Sequence, residues 1–180
     1  MSSLFNISCR IRTNNLEQLN PNYPVKIFLL THQRERFKNT NTGTLVVEVL
    51  GEKAQVVIWD RVMPDPELLR TIDEGSIALL YPSADSQLVS EASGFENYII
   101  IDGTWQEAQK IYNRSPYLKD LPAVKIQANR ASDYNLRRNQ KEGGLCTAEC
   151  AVEILKARGF SVLADELQSA FLMRMASQRL

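Results

Sequence analysis

The 180-residue chain predicts an α/β fold, a mostly parallel sheet with helices on both faces. Two observations predict it. Apolar, β-branched runs alternate with helical segments over about a hundred residues, the pattern of a sheet covered on both sides. One stretch, Ile99-Ile100-Ile101-Asp102-Gly103-Thr104-Trp105-Gln106-Glu107-Ala108, shows a buried strand handing over to a helix, with Thr104 and Glu107 at capping-box spacing. Asp102 and Trp105 then flank the carboxyl end of a strand, where open α/β sheets bind ligands beside helix N-termini that favour anionic groups. The plainer reading is that Thr104 caps, Asp102 turns the chain and Trp105 packs.

A chain of this length buries roughly two-thirds of its unfolded surface and folds without staples. Lysine plus arginine equals aspartate plus glutamate at 21 each, so no overall field draws it to DNA or an acidic membrane. Any nucleic-acid contact must come from a local patch. Cys9, Cys146 and Cys150 form no paired framework and no C-x-x-C, which fits a reducing compartment and predicts no structural zinc. With no leader-like start and no apolar run of membrane length, the expected location is the cytoplasm.

Residues 1–24 form a polar lead that ends in turn chemistry at Asn20, Pro21, Asn22 and Pro24. Val25 to Leu30 is the first strand, followed by His32, Arg34, Glu35, Arg36 and Lys38. A lone histidine at a strand end is more often a hydrogen-bonded structural group than a catalyst. Thr44 to Leu50 has β-branched residues that favour a strand and a spacing that favours a helix; helix is the expectation. Gln55 to Trp59 is a strand, Pro64-Asp65-Pro66 opens a helix to about Asp73, and Ser76 to Tyr81 is a strand closed by Pro82. Ile99 to Asp102 is the next strand, a helix follows over 104–113, and Ala123 to Gln127 is the last strand.

Asn129 to Gly144 is polar and basic, with Arg130, Arg137, Arg138 and Lys141 around a central Tyr134. It reads either as a solvated loop or, being long for a compact domain, as a functional one. Thr147 is expected to cap a helix to about Arg158, with Glu149 in the first turn where the dipole favours an acid. A final helix starts at Ser161, and its stripe of Leu163, Leu167, Ala170, Phe171 and Met175 is core.

No H-E-x-x-H, P-loop, G-x-G-x-x-G or G-x-S-x-G occurs, which removes the commonest hydrolase, nucleotide and dinucleotide readings. Three separated segments, around Tyr81-Pro82, Asp102-Trp105 and Leu145-Glu149, each lie at a strand end or helix start. If they converge, they offer an aromatic ring, backbone donors and carboxylates to an adenosine-bearing, zwitterionic ligand.

Asp102-Gly103-Thr104-Trp105 followed by Ala108 resembles the signature of the DTW-domain family, the tRNA-uridine aminocarboxypropyltransferases. The likeness extends to Leu29-Leu30-Thr31-His32 with Glu35, to Asn41-Thr42-Gly43 with Leu45, and to Leu79-Leu80-Tyr81-Pro82. Tyr134 with Arg137 and Arg138, then Leu145, Thr147 and Glu149, resembles its later segments. Residues 25–158 therefore carry the pattern in order, and 25–180 is expected to be the catalytic domain. The family often has an amino-terminal cysteine cluster expected to bind zinc; only Cys9 stands here. Cys146 and Cys150 replace the usual serine and alanine.

The resemblance implies a SPOUT-like fold with a C-terminal knot and S-adenosylmethionine as cofactor. It further implies transfer of the 3-amino-3-carboxypropyl group to N3 of a tRNA uridine, with release of methylthioadenosine. On that reading Asp102 is the expected base for the weakly acidic N3–H. Leu80, Tyr81, Pro82, Trp105 and Leu145 are expected to wall the cofactor, and N–H groups near Gly103, Thr104 and Thr147 to take its carboxylate. Glu149 either pairs with the amino group or serves its own helix. Arg34, Arg36, Lys38, Arg137, Arg138 and Lys141 are the expected phosphate contacts, and Tyr134 the ring that stacks an exposed base. Three other functions share much of the pattern: a ribosomal-RNA aminocarboxypropyltransferase, a SPOUT-type RNA methyltransferase and a non-enzymatic RNA-binding module.

Overall fold

The structure is a computed structural model, which describes residues 25–92, 94–127 and 144–177. In chain order the elements are β1 (Lys26–Thr31), α1 (Gly43–Leu50), a 3-10 turn (Gly51–Lys53), β2 (Ala54–Ile58), α2 (Pro66–Asp73) and β3 (Ile77–Leu80). They continue with β4 (Gln87–Leu88), β5 (Asn97–Asp102), α3 (Trp105–Arg114), α4 (Pro116–Lys119), β6 (Ala123–Lys125), α5 (Thr147–Ala157) and α6 (Ser161–Ser177).

The strands form one six-stranded sheet in the order β2-β1-β5-β3-β6-β4, and every pairing is parallel. Alternate residues of each strand serve opposite faces. Ile27 and Leu29 of β1, with Tyr98 and Ile100 of β5, pack under α1, α5 and α6. Phe28, Leu30, Ile99 and Ile101 pack under α2, α3 and α4. Because both faces are covered, the central strands read as unbroken apolar runs. That is the expected fold class.

The ambiguous stretch after Thr42 is a helix, since Gly43, Val46 and Leu50 fall on one buried side at helical spacing. Asp65 caps α2, its Oδ1 accepting from the Leu68 N–H at 2.9 Å, with Pro66 in the first turn. α6 buries Ala164, Leu167, Phe171 and Met175, while Leu163 and Ala170 of the expected stripe lie half-buried beside them.

Four details differ from the sequence expectation. β5 starts at Asn97, because Lys26↔Asn97 and Ile77↔Asn97 extend its ladders to polar residues. β4 is two residues long and exists only as an edge against β6, too short to show any period. α4 is a single turn behind Pro116. The cap of α5 is Cys146 instead of Thr147, which is the first helical residue and uses its hydroxyl elsewhere. The resemblance implies a knot; residues 128–143, which precede α5 and α6, lie outside the described residues.

Candidate active site

The parallel register places Thr31, the last residue of β1, beside Asp102, the last residue of β5. Both side chains fall on the face covered by α1 and α5. The Asp102 carboxylate is 2% exposed, and a buried charge needs donors around it. Oδ1 accepts from the Thr147 hydroxyl at 2.6 Å. Oδ2 accepts from Asn41 Nδ2 at 2.8 Å and has the Thr31 hydroxyl at 3.1 Å. That hydroxyl lies equally near the Leu29 carbonyl, so its single proton serves one of the two at a time.

Asn41 does more than donate. Its Oδ1 accepts the Gly43 N–H at 2.6 Å, and its Nδ2 also donates to the Glu35 carbonyl. Glycine is required at 43 by space: a Cβ there would stand 2.7 Å from Asp102 Oδ2. The Thr42 hydroxyl accepts the Ala148 N–H at 3.2 Å, tying the start of α1 to the start of α5. Asp102 thus lies beside two helix N-termini, whose partial positive charge favours an anion. One carboxylate gathers β1, β5, α1 and α5 at a single point.

On the other face, Tyr81 leaves the end of β3 and Trp105 opens α3. Their rings stack with centroids 5.6 Å apart at 19°. Tyr81 also stacks on Tyr112, at 4.2 Å and 14°. Tyr112 lies seven residues after Trp105, two turns along the same helix face, so the spacing alone places it in the stack. Burial, with Tyr112 adding to it, pushes the Tyr81 phenol above its usual 10 and keeps it neutral.

Among the described residues the expected site residues meet in two groups. Asp102 and Thr147 join on the α1/α5 face, Tyr81 and Trp105 on the α3 face, and Gly103-Thr104 is the chain between them. One backbone expectation meets an engaged donor, and one of the two readings of Glu149 finds a partner. The Thr104 N–H donates to Glu107 Oε2 at 2.9 Å within its own capping box, so it is not open to a ligand carboxylate. Glu149, buried at 1%, accepts the Cys146 N–H at 2.9 Å and so serves its helix. Leu80 packs toward the α1/α5 face, Pro82 is exposed and Leu145 is half-buried. A cavity of about 560 Å³ at the β4–β6 edge, lined by Ser86, Glu91 and Lys125 among others, contains none of these residues.

Of the expected phosphate contacts, Arg34 and Arg36 are exposed, and Lys38 is ion-paired with buried Glu35. Tyr134, Arg137, Arg138 and Lys141 lie outside the described residues. His32 Nδ1 accepts the Arg34 N–H at 3.2 Å and its ring leans on Trp59. Burial, followed by Glu149, pushes the Cys146 thiol up to about 12, and burial raises Cys150 as well. Both stay protonated at neutral pH, so neither is a nucleophile or a ready metal ligand. Among the described residues no group of three or more histidine, cysteine or acidic side chains is placed to hold a metal, and no helix is long and apolar enough to cross a membrane.

The sequence model of the DTW domain matches residues 7–179, which include both groups and begin inside the polar lead. The chain belongs to the DTW-domain family. It is similar to proteins named tRNA-uridine aminocarboxypropyltransferase 2. The Drosophila melanogaster protein is 34% identical over 137 residues, covering 72% of this chain and 55% of the fly protein. The Macaca fascicularis protein is 27% identical over 147 residues, covering 75% of this chain and 49% of the macaque protein. The chain thus spans about half the length of the relatives it matches. No solved structure matches.

Proposed function

We propose that this DTW-family chain is a tRNA-uridine aminocarboxypropyltransferase that uses S-adenosylmethionine as donor. The observation that carries the reading is that the signature's Asp102 and Trp105, at the carboxyl end of β5, enter a buried polar hub on one face and, with Tyr81 from the end of β3, an aromatic stack on the other. The rings suit an adenine face and a sulfonium, which favours aromatic π-systems. When bound, S-adenosylmethionine supplies an aminocarboxypropyl group activated by its positive sulfur.

In the overall reaction a bond forms from uridine N3 to the γ-carbon, the bond from that carbon to sulfur breaks, and the N3 proton is released. Methylthioadenosine leaves neutral. What the protein contributes is placement. Tyr81 and Trp105 wall off one side of the donor, and a water-poor edge strengthens whatever polar contacts orient the uridine. Asp102, expected from the sequence to be the base, is better suited to position other groups. Both of its oxygens already accept side-chain hydrogen bonds, and at 2% exposure the carboxylate is closed off from a substrate base. Held in place, Asp102 fixes the first residue of α5 and the loop ahead of α1, and through them the floor of the site.

Incubation with S-adenosylmethionine labelled in the aminocarboxypropyl group and unmodified tRNA tests the reading. Label in tRNA with the mass of an aminocarboxypropyl uridine supports it. A methylated product, label only in ribosomal RNA, or RNA binding with no transfer would replace it with one of the three related functions.

A further inference from the structure

The loops that leave β1 and β2 carry features that neither the hub nor the aromatic stack uses. β1 and β2 are parallel neighbours, and the Trp59 N–H carries their pairing one residue further, to the Thr31 carbonyl at 2.8 Å. The loops stay together beyond the strands, since the His32 and Trp59 rings are 5.8 Å apart. Three large apolar side chains then stand in solvent: Phe37 at 79%, Val62 at 84% and Met63 at 76% exposed. Asp60 Oδ1 accepts the N–H groups of Val62 at 2.7 Å and Met63 at 2.9 Å, so the second loop is a built turn. Exposed apolar side chains held on built loops mark an interaction surface more often than chance.

The charges say what it faces. Arg34, Arg36 and Arg61 are all exposed on these loops, and the Arg36 guanidinium lies over the Phe37 ring at 5.5 Å. The carboxylates alongside are engaged, Glu35 with Lys38 and Asp60 with its two backbone donors. Arginines interleaved with an aromatic ring match a polyanion that offers flat faces. We infer that the two loops, residues 32–38 and 59–63, are a docking face for an unpaired stretch of RNA, with Arg34, Arg36 and Arg61 on phosphates and Phe37 stacking on a base. The inference rests on the tRNA reading above and says where that substrate is gripped. The face starts one residue past Thr31, whose hydroxyl is 3.1 Å from Asp102 Oδ2, so it adjoins the candidate site with no element between.

Filter binding of unmodified tRNA across a salt series tests it, with the transfer assay and S-adenosylmethionine binding run in parallel. Phe37→Ala is expected to weaken RNA binding about 5- to 100-fold while leaving the salt slope unchanged, because a stacking ring is lost and no cation. The triple change Arg34→Gln, Arg36→Gln, Arg61→Gln is expected to weaken binding at low salt and reduce the slope by about 3. All four side chains are exposed, so unchanged thermal melts and unchanged S-adenosylmethionine binding are expected of both variants. RNA affinity and slope within two-fold of wild type in both would overturn the docking face. So would a change confined to the protein's own sedimentation, which would make the surface a protein contact. If the wild type transfers the group to tRNA and the variants bind as well as it does, this face is wrong and the function stands. If the wild type neither binds nor modifies tRNA, both fall together.

Discussion

The two sides of the sheet's carboxyl edge are built from opposite materials. On the α1/α5 side, Asp102 is buried and its oxygens meet hydroxyl and amide donors from three other elements. On the α3 side, Tyr81, Trp105 and Tyr112 are half-buried rings, with Tyr81 stacked on both of the others. A carboxylate closed off from solvent and held by donors of its own protein is suited to hold the structure, because a ligand cannot reach it without displacing what covers it. Rings that keep part of a face exposed can still gain by covering it. We propose that the signature's aspartate and tryptophan, three residues apart, divide the work between holding the site and lining it.

The largest expected effect breaks the scaffold side. Asp102→Ala leaves the Thr147 and Asn41 donors without their acceptor in a closed space and should lower unfolding free energy by about 3–5 kcal/mol. Chemical denaturation reads this directly, and a midpoint equal to wild type would mean the hub holds nothing. Gly43→Ala attacks the same point by crowding, and should cost about 1–3 kcal/mol as Asp102 or α1 shifts to make room. A double-mutant cycle with Asp102→Ala, in which Gly43→Ala costs less than it does alone, would confirm that the clash is with Asp102.

On the lining side, Trp105→Ala should weaken S-adenosylmethionine binding by roughly 1–3 kcal/mol, seen by calorimetry, with a smaller effect on stability than Asp102→Ala. If it unfolds the protein and leaves the affinity of the folded fraction intact, the ring is packing and the two sides are alike. The smallest effect sharpens the link between them. Burial pushes the Glu107 carboxyl up, but the Thr104 N–H and hydroxyl and a hydrogen bond with Glu35 outweigh it and hold the group below 4.5. A lowered folded value contributes stability above the unfolded value that is lost as pH falls through the folded one. Glu107→Ala should therefore cost about 1 kcal/mol at neutral pH and progressively less in acid, where wild type loses the same contribution. A deficit that stays constant down to acid pH would assign the loss to packing.

The fold was largely legible because a sheet covered on both faces writes unbroken apolar strands, and Gly43, Val46 and Leu50 resolved the one ambiguous helix by spacing. β4 and α4 were not legible, since two and four residues carry no period and their existence depends on β6 and Pro116. In the site, Tyr81 and Trp105 are legible as candidate walls but not as a stacked pair, and Tyr112 could have been found two turns along α3. The partners of Asp102 were beyond reach. Thr31, Asn41 and Thr147 are distant in sequence, and a threonine at a helix start reads first as a cap. Only the parallel register of β1 on β5 and the seating of α5 show that its hydroxyl points at the acid.

The most direct test of that division of labour is the pH dependence of single-turnover transfer to tRNA by Asp102→Asn. The exchange preserves shape, removes the charge and turns one acceptor into a donor that faces other donors. If Asp102 positions, the variant melts lower, binds S-adenosylmethionine less tightly and reacts more slowly, while its rate follows pH with the wild-type profile. A variant as stable as wild type, with normal affinity, a rate down by about 10²-fold or more and the pH dependence abolished, would make Asp102 the base itself and contradict the account.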